Sequence, residues 1–564
     1  MSFYEGKTFF VFQAREHPPA APRQRPNTER KTKIMNTKKI TALLLSLLTA
    51  CTLFASCGKT EEAPAEEETK TEVVETTPEV QEEITETPAH DESIVITMKD
   101  EPPTLNPYDH ASNASGYMNQ LTFNSLFKID LDTLQPIPDL VESFENIDEV
   151  TWNFKLKEGV KFHDGTDLTS EDVKASLEFS RNFVSATQYN SFWSEVQIID
   201  DHNFTIITTA PYAKILDDLA SNCNSIVPSE LIASGNDFNQ NPIGSGPYKF
   251  VHWELGDSLT FVKNEEYFDQ DHMPTITDMT WRIIPEGSSR TIALETGEVD
   301  MIIDVESNDV ERIRESEELA LAEVEGLRMA FFALNTENPM FSDVRVRRAI
   351  NGLLDKEAIV EVAVNGQGVP SVSMDPSPYQ GVVEDNAVVH DVDAALKLFE
   401  EAQVDPKTMK FTVICFDDTT RRTAEVIQGM LGEAGITMEI ESLDFAAWLE
   451  RYLAGDFEAS LGGFSSSNIL TYQKGLWHTA TIGATNGSRV SVPEVDALIE
   501  KALVTLDAAE RTAVVSEISG MVNELNPFIP LYTSTVIRAF DADLQGAKVS
   551  SSGRIDYADL HWAE

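Results

Sequence analysis

The residues able to do covalent or metal chemistry are sparse and scattered along this chain. Its ten histidines include no pair four residues apart, and no H-E-x-x-H element occurs. His163 and Asp164 could form a base and its orienting acid, but Asp164–Gly165 is a turn dipeptide and a turn is the reading preferred. Gly463–Phe464–Ser465–Ser466–Ser467 lacks the closing glycine of a serine-nucleophile elbow. Gly244–Ser245–Gly246 is followed by Pro247, so it does not open a helix as a dinucleotide loop would. No phosphate-cradling G-x-x-x-x-G-K-[ST] is present either. Four cysteines occur, at 51, 57, 223 and 415, with no C-x-x-C spacing. Cys223 and Cys415 read as two buried free thiols, with a single bridge between them as the alternative. These spacings give no catalytic set, no metal site and no cofactor, so binding is the chemistry to look for.

The elements that would position a binding site are mixed. Ile94–Met98 reads as a buried strand, and Trp152, Phe154 and Leu156 alternate with polar residues as a half-buried one. Further strands are expected at Phe204–Ile207, Leu259–Lys263, Phe411–Ile414 and Thr437–Glu441. Thr169 with Asp172 forms a capping box before Val173 and Leu177. Helical spacing recurs through Val346–Leu353, Ile427–Ala434, Val495–Ala502 and Val514–Leu525, the last capped by Asp507. No solenoid period is present. At 564 residues the chain exceeds what one core of roughly 250–300 residues can organise. A multi-lobed α/β or α+β protein follows. The net charge of −51 excludes a nucleic-acid partner, which needs a basic face.

The N-terminus carries an address. Residues 1–34 hold scattered arginines and prolines without apolar period, and read as disordered or as a mis-assigned extension. Lys38 and Lys39 then precede the apolar stretch Ile40–Ala55, closed by Ser56–Cys57–Gly58. This is a secretory signal over residues 35–57. It resembles the lipobox of bacterial lipoproteins, which makes Cys57 the expected lipid attachment, with Cys51 as the alternative. Residues 58–92 are rich in Glu, with Lys59 and Lys70 as their only lysines, and are expected to form an extended tether.

From residue 93 onward the chain resembles the family-5 extracellular solute-binding proteins, the oligopeptide-, dipeptide- and nickel-binding lipoproteins of ATP-driven (ABC) importers. The resemblance rests on blocks in family order. They are Glu101–Pro107, the stretch Thr151–Val173 with its FHDG, Pro242–Tyr248, Asn264–Tyr267, Ala293–Asp300, Asp343–Ile350, Gly455–Phe457 and Pro493–Asp496. It implies a two-lobed periplasmic-binding-protein type II fold. Lobe I would take 93–137, 241–325 and 526–564, an extra subdomain 138–240, and lobe II 326–525. It implies no catalysis, and a monomer tethered to the outer face of the cytoplasmic membrane or exposed in the periplasm. A peptide or other small polar ligand would be held between the lobes and passed to permease subunits. A sensor or structural lipoprotein, a nickel-chelate binder and a secreted hydrolase are the alternatives.

For the ligand site, the family's position after the opening turn suggests Asn113, Ser115 and Tyr117. Peptide-binding members often carry an acidic residue after a Gly-Trp pair, to meet the peptide's amino group. Here Phe464, Ser465 and Asn468 occupy that stretch, without a carboxylate before Ile469. Arg421 and Arg422 are candidates to meet a ligand carboxylate, against a reading as an exposed helix start. Trp193 and Trp477 are candidates for stacking, against core packing. Arg345, Arg347 and Arg348 are expected to pair with the acidic surface or a neighbouring helix.

Overall fold

Ile94, Ile96 and Met98 are buried on β1 (Ser93–Met98), a central strand of an 11-stranded sheet that runs through both halves of the protein. The computed structural model describes residues 92–109 and 112–563. The signal segment, the tether apart from Glu92, and both lipidation candidates lie outside that range. β1 is followed by helix α1 (Asn113–Thr122). An inserted four-stranded antiparallel sheet comes next, made of β2 (Val141–Asn146), β3 (Thr151–Leu156), β4 (Trp193–Ile198) and β5 (Asn203–Thr208) in the order β2-β3-β5-β4. Period-2 alternation sends Trp152, Phe154 and Leu156 into its core, where Phe154 stacks on Phe204 at 5.3 Å. Helix α2 (Ser170–Ser180) covers this core, and its Thr169–Asp172 capping box is present as the sequence predicts. A short helix, α3 (Ile215–Leu219), follows β5.

The chain returns to the first lobe through the hairpin β6 (Tyr248–Glu254) and β7 (Ser258–Lys263), then β8 (Asp278–Ile283) and β9 (Met301–Ile302). Gly244 and Gly246 lie against the end of α1. A β-carbon on Gly246 would stand 2.4 Å from the Leu121 carbonyl oxygen, which is why no larger residue fits. Gly246→Ala is expected to cost about 2–4 kcal/mol, because backbone on both sides must shift. Urea unfolding followed by tryptophan fluorescence reads that loss, and an unchanged midpoint would contradict it.

Two long antiparallel strands, β10 (Leu319–Leu334) and β15 (Phe528–Asp541), carry the chain between the lobes. Their pairing breaks between Glu325 and Met329, so Gly326, Leu327 and Arg328 leave the ladder. Past that break β10 sends Phe331 and Phe332 to opposite faces. Phe331 stacks on Phe528 at 4.5 Å, and Phe332 joins a separate core with Phe341, Ile350, Ile427 and Leu431. The second lobe adds α4 (Val344–Gly352), α5 (Lys356–Val364), the short β11 (Gly368–Pro370), β12 (Lys410–Cys415), α6 (Asp418–Glu433), β13 (Thr437–Ser442), α7 (Phe445–Ala454) and β14 (Ala459–Phe464). It closes with α8 (Ile469–Trp477), α9 (Pro493–Val504) and α10 (Ala508–Leu525). The full order is β13-β12-β14-β10-β15-β9-β1-β8-β7-β6, with β11 beside β15.

Cys223 and Cys415 are buried free thiols, as the preferred reading of the spacing has it. Burial pushes the Cys223 thiol up to about 12, which makes it unreactive at neutral pH.

Candidate functional site

Strands β12, β13 and β14 are parallel, so their carboxyl ends, Cys415, Ser442 and Phe464, reach one common edge. In α/β layers that edge is where ligands bind, because the loops leaving it are free to vary while the strands hold them in place. Each of the three loops ends in a side chain that caps the next helix. Asp417 accepts from the Thr420 amide, Asp444 from Ala447, and Asn468 from Leu470 and Thr471. Phe416, Phe445 and Trp448 form an aromatic cluster above the edge, with Phe416–Trp448 centroids 4.5 Å apart. Arg328 enters from the break in β10. It lies over Gly463, where a β-carbon would stand 2.2 Å from its Nη1. Arg328, Asp417, Thr420 and Tyr532 line a cavity of about 30 Å³ at this point, room for a single water-sized group.

The inserted sheet faces the same edge through α3. Asp217 Oδ1 accepts a 2.6 Å hydrogen bond from Asn468 Nδ2, and the Ala213 amide donates to the Leu503 carbonyl at 2.9 Å. Burial raises the Asp217 carboxyl to about 6, while the Asn468 hydrogen bond and Lys214 restrain the rise. Its pair-mate Asp218 accepts from the Tyr212 hydroxyl at 2.6 Å. Asn468→Asp would keep the helix cap but set a second carboxylate on Asp217. Two such groups share a proton at pH 5 and repel at pH 8. The variant is expected to be less stable than its parent by about 1–2 kcal/mol at pH 8 and near parity at pH 5. Equal urea midpoints for the two proteins at pH 8 would refute the effect.

The residues singled out from sequence divide in two. Phe464, Ser465 and Asn468 sit together at the strand edge; Phe464 is buried against Tyr472 at 5.5 Å. The others stand elsewhere or are already engaged. Ser115 is fully buried and donates to the Thr104 carbonyl at 2.6 Å, and Tyr117 stacks on Trp281 at 5.8 Å. Asn113 opens α1. Trp193 lies in the inserted sheet's core, its indole donating to Asn190 at 3.0 Å and its ring covered by Arg181. Trp477 has no exposed surface and donates to Asp375 at 3.0 Å. Arg421 pairs with Glu425 at 2.6 Å and Asp418 at 3.4 Å, while Arg422 donates to the Ala363 carbonyl at 3.1 Å. His163 is a structural link. Its Nε2 lies 2.9 Å from the Gly246 carbonyl, and burial lowers its pKa to about 4, so it is neutral there at pH 7. Asp164 accepts from the Thr166 amide and hydroxyl in the turn beside it.

Sequence reasoning missed Arg328 and Asp217. Neither belongs to a spacing motif, and only their place at the strand edge marks them. A second, open groove of about 300 Å³ lies on the second lobe between Thr412, Glu441, Arg451 and Glu458. Among the described residues no group of three His, Cys, Asp or Glu could hold a metal, and no helix is long and apolar enough to cross a membrane.

The family model for bacterial extracellular solute-binding proteins, family 5 (middle region), matches residues 135–481. The glutathione-binding protein GsiB of Pectobacterium atrosepticum is 25% identical over 484 residues, which cover 82% of this chain and 92% of its own. The structure of HbpA2 from Haemophilus parasuis aligns with a TM-score of 0.77 at 23% identity, over 84% of this chain and 100% of that one. DppA from Helicobacter pylori, an ABC transporter-associated periplasmic binding protein in complex with the peptide STSA, aligns with a TM-score of 0.66 at 21% identity, over 84% and 98%.

Proposed function

The chain belongs to the family-5 bacterial extracellular solute-binding proteins, and from that premise we propose that it captures a peptide or similar small polar solute between its lobes and delivers it to ABC permease subunits. The observation that carries this is the pair of strands β10 and β15, whose ladder breaks at Gly326–Arg328 beside the common edge of β12, β13 and β14. A break there gives two rigid lobes a hinge next to the surface that would hold the guest. Binding energy then favours the closed shape over the open one, and no bond in the guest changes. The boundaries that fit this reading are 93–137, 241–325 and 526–564 for lobe I, 138–240 for the inserted part and 326–525 for lobe II. Peptides are the leading class because the two relatives described above with a named ligand bind glutathione and the peptide STSA. The protein acts as a monomer and has no catalytic step.

Mass spectrometry of co-purified material, with titration of glutathione and a tripeptide panel by calorimetry, tests the ligand class. A ligand present at 100 times its dissociation constant adds about 2.7 kcal/mol to stability. Failure of every peptide in the panel, with a non-peptide solute co-purifying, would overturn the peptide reading. The tether is proposed to be lipidated at Cys57, with Cys51 the alternative. Palmitate-analogue labelling lost in Cys57→Ala supports it, and labelling lost only in Cys51→Ala refutes it.

A further inference from the structure

Among the described residues six non-glycine residues carry a left-handed φ, and Leu134, at +57°, is the one apolar side chain of the six. An apolar side chain gains no local hydrogen bond in that region, so the surrounding structure must hold it there. Leu134 lies at the tip of the hairpin formed by Phe127–Ile129 and Pro136–Pro138. Its amide donates to the Asp130 carbonyl at 3.0 Å, and the Asp130 amide donates to the Gln135 carbonyl at 2.9 Å. Asp130 Oδ1 accepts from the Thr133 amide at 2.8 Å and from its hydroxyl at 2.7 Å. These bonds wind the tip tightly and impose the conformation. What it achieves is burial, since Leu134 is 5% exposed although it stands at a hairpin tip. The apolar cluster that takes it in belongs mainly to the other lobe, with Tyr379, Tyr472, Val515 and Ile518 among its members.

Helix α3 of the insert packs beside the hairpin and reaches the same lobe. Ala213, just before it, is buried in that cluster, and its amide donates to the Leu503 carbonyl of α9 at 2.9 Å. Four residues on, Asp217 accepts from Asn468, the cap of α8. Leu506, between α9 and α10, packs in return on the insert's own core, which includes Ile215 and Leu219. None of these groups belongs to β10 or β15. They therefore join the second lobe to the first lobe and its insert by a route separate from the crossover strands.

We propose that the Leu134 hairpin and α3 form a two-pronged clasp that holds the lobes together, so that the insert sets how readily the cleft opens. This goes beyond the solute-capture reading and rests on it. The break in β10 permits the motion, and the clasp biases it before any solute arrives. Its parts are few, one leucine in an apolar socket and two hydrogen bonds, and can part and re-form with each round of capture. A left-handed Leu134 suits that use, because the strain of its backbone is tolerated only while the side chain stays seated.

Hydrogen–deuterium exchange of the full chain, read by mass spectrometry, tests the clasp. The reporter is the segment 211–219, whose Ala213 amide is tied to Leu503, and the control is β12 inside the second lobe. Leu134→Gly removes the plug and relieves the left-handed backbone. Asn468→Ser keeps a helix cap but is too short to reach Asp217. Neither change lies in the reporter or removes the Ala213 hydrogen bond itself. Each is expected to speed reporter exchange about fivefold or more, with the control unchanged. Reporter exchange that stays the same in both variants, or rises only together with the control, overturns the clasp. Glutathione and trialanine supply a second readout. A probe that binds the wild type should leave Leu134→Gly about fivefold faster, because release needs the opening that the clasp resists. If neither probe binds the wild type, the peptide reading falls and exchange alone decides the clasp. If a probe binds and leaves wild type and variants alike, the peptide reading stands and the clasp falls.

Discussion

Replacing Lys356 with methionine is expected to stabilise the protein by about 2–4 kcal/mol at pH 7. Lys356 opens α5 and is 6% exposed, and among the described residues its Nζ meets no hydrogen-bond partner. Burial alone depresses its pKa to about 7, far below an ordinary lysine. A lysine whose folded-state pKa is depressed supports folding best above its unfolded pKa, near 10.4, where it is neutral in both states. That support is lost as pH falls toward 7, because the unfolded chain takes up the proton more readily than the folded one. The gain from methionine, which fills similar space without a charge, should therefore be largest at pH 7 and below and shrink toward pH 10. Urea midpoints of parent and variant at pH 6, 7 and 10 measure it. A gain that is the same at all three pH values would show that the amine is not the cause.

The opposite result is expected at Arg347, nine residues earlier. It is 5% exposed, yet its guanidinium donates to the carbonyls of Phe341, Ser342 and Asn526 at 2.9–3.0 Å and also to that of Leu525. It thus fastens α4 to the end of α10, where the chain turns into β15. Arg347→Met leaves those carbonyls without their donor and should cost about 3–5 kcal/mol. Arg347→Lys should recover less than half, because an ammonium group cannot reproduce a planar fork that reaches both chain ends. A lysine variant as stable as the parent would show that charge, and not the fork, matters here.

The sequence reading was most reliable where local signals were strong. The expected strands at 94–98, 204–207, 259–263, 411–414 and 437–441 fall within β1, β5, β7, β12 and β13. The caps at Thr169 and Asp507 are in place. The crossover strand β10 was not read as a strand. Its run Leu319–Leu334 holds charges at Glu323, Glu325 and Arg328 and passes from a half-exposed stretch to one buried on both faces. No single period spans that change. Tertiary pairing with β15, about two hundred residues away, decides it. The family blocks located the fold because glycines such as Gly246 sit where backbone must touch backbone. They did not locate the candidate site, because Arg328 and Asp217 owe their positions there to residues far away in sequence. Arg421 and Arg422 looked available in sequence, but helix neighbours and the Ala363 carbonyl occupy them.

The threading of β10 and β15 bears on how the chain matures during synthesis. The second lobe is nearly one continuous stretch, so most of its interior can assemble while later residues are still being added. The first lobe is different. Met301 and Ile302 pair with Phe540 and Ala539, and Leu544, Ile555 and Leu560 fill the interior built around Ile94 and Trp281. The opening residues of the folded region therefore wait for residues made several hundred positions later. A nascent molecule spends that interval with one half formed and the other an unfinished sheet. That half would be the one more open to chaperones and proteases.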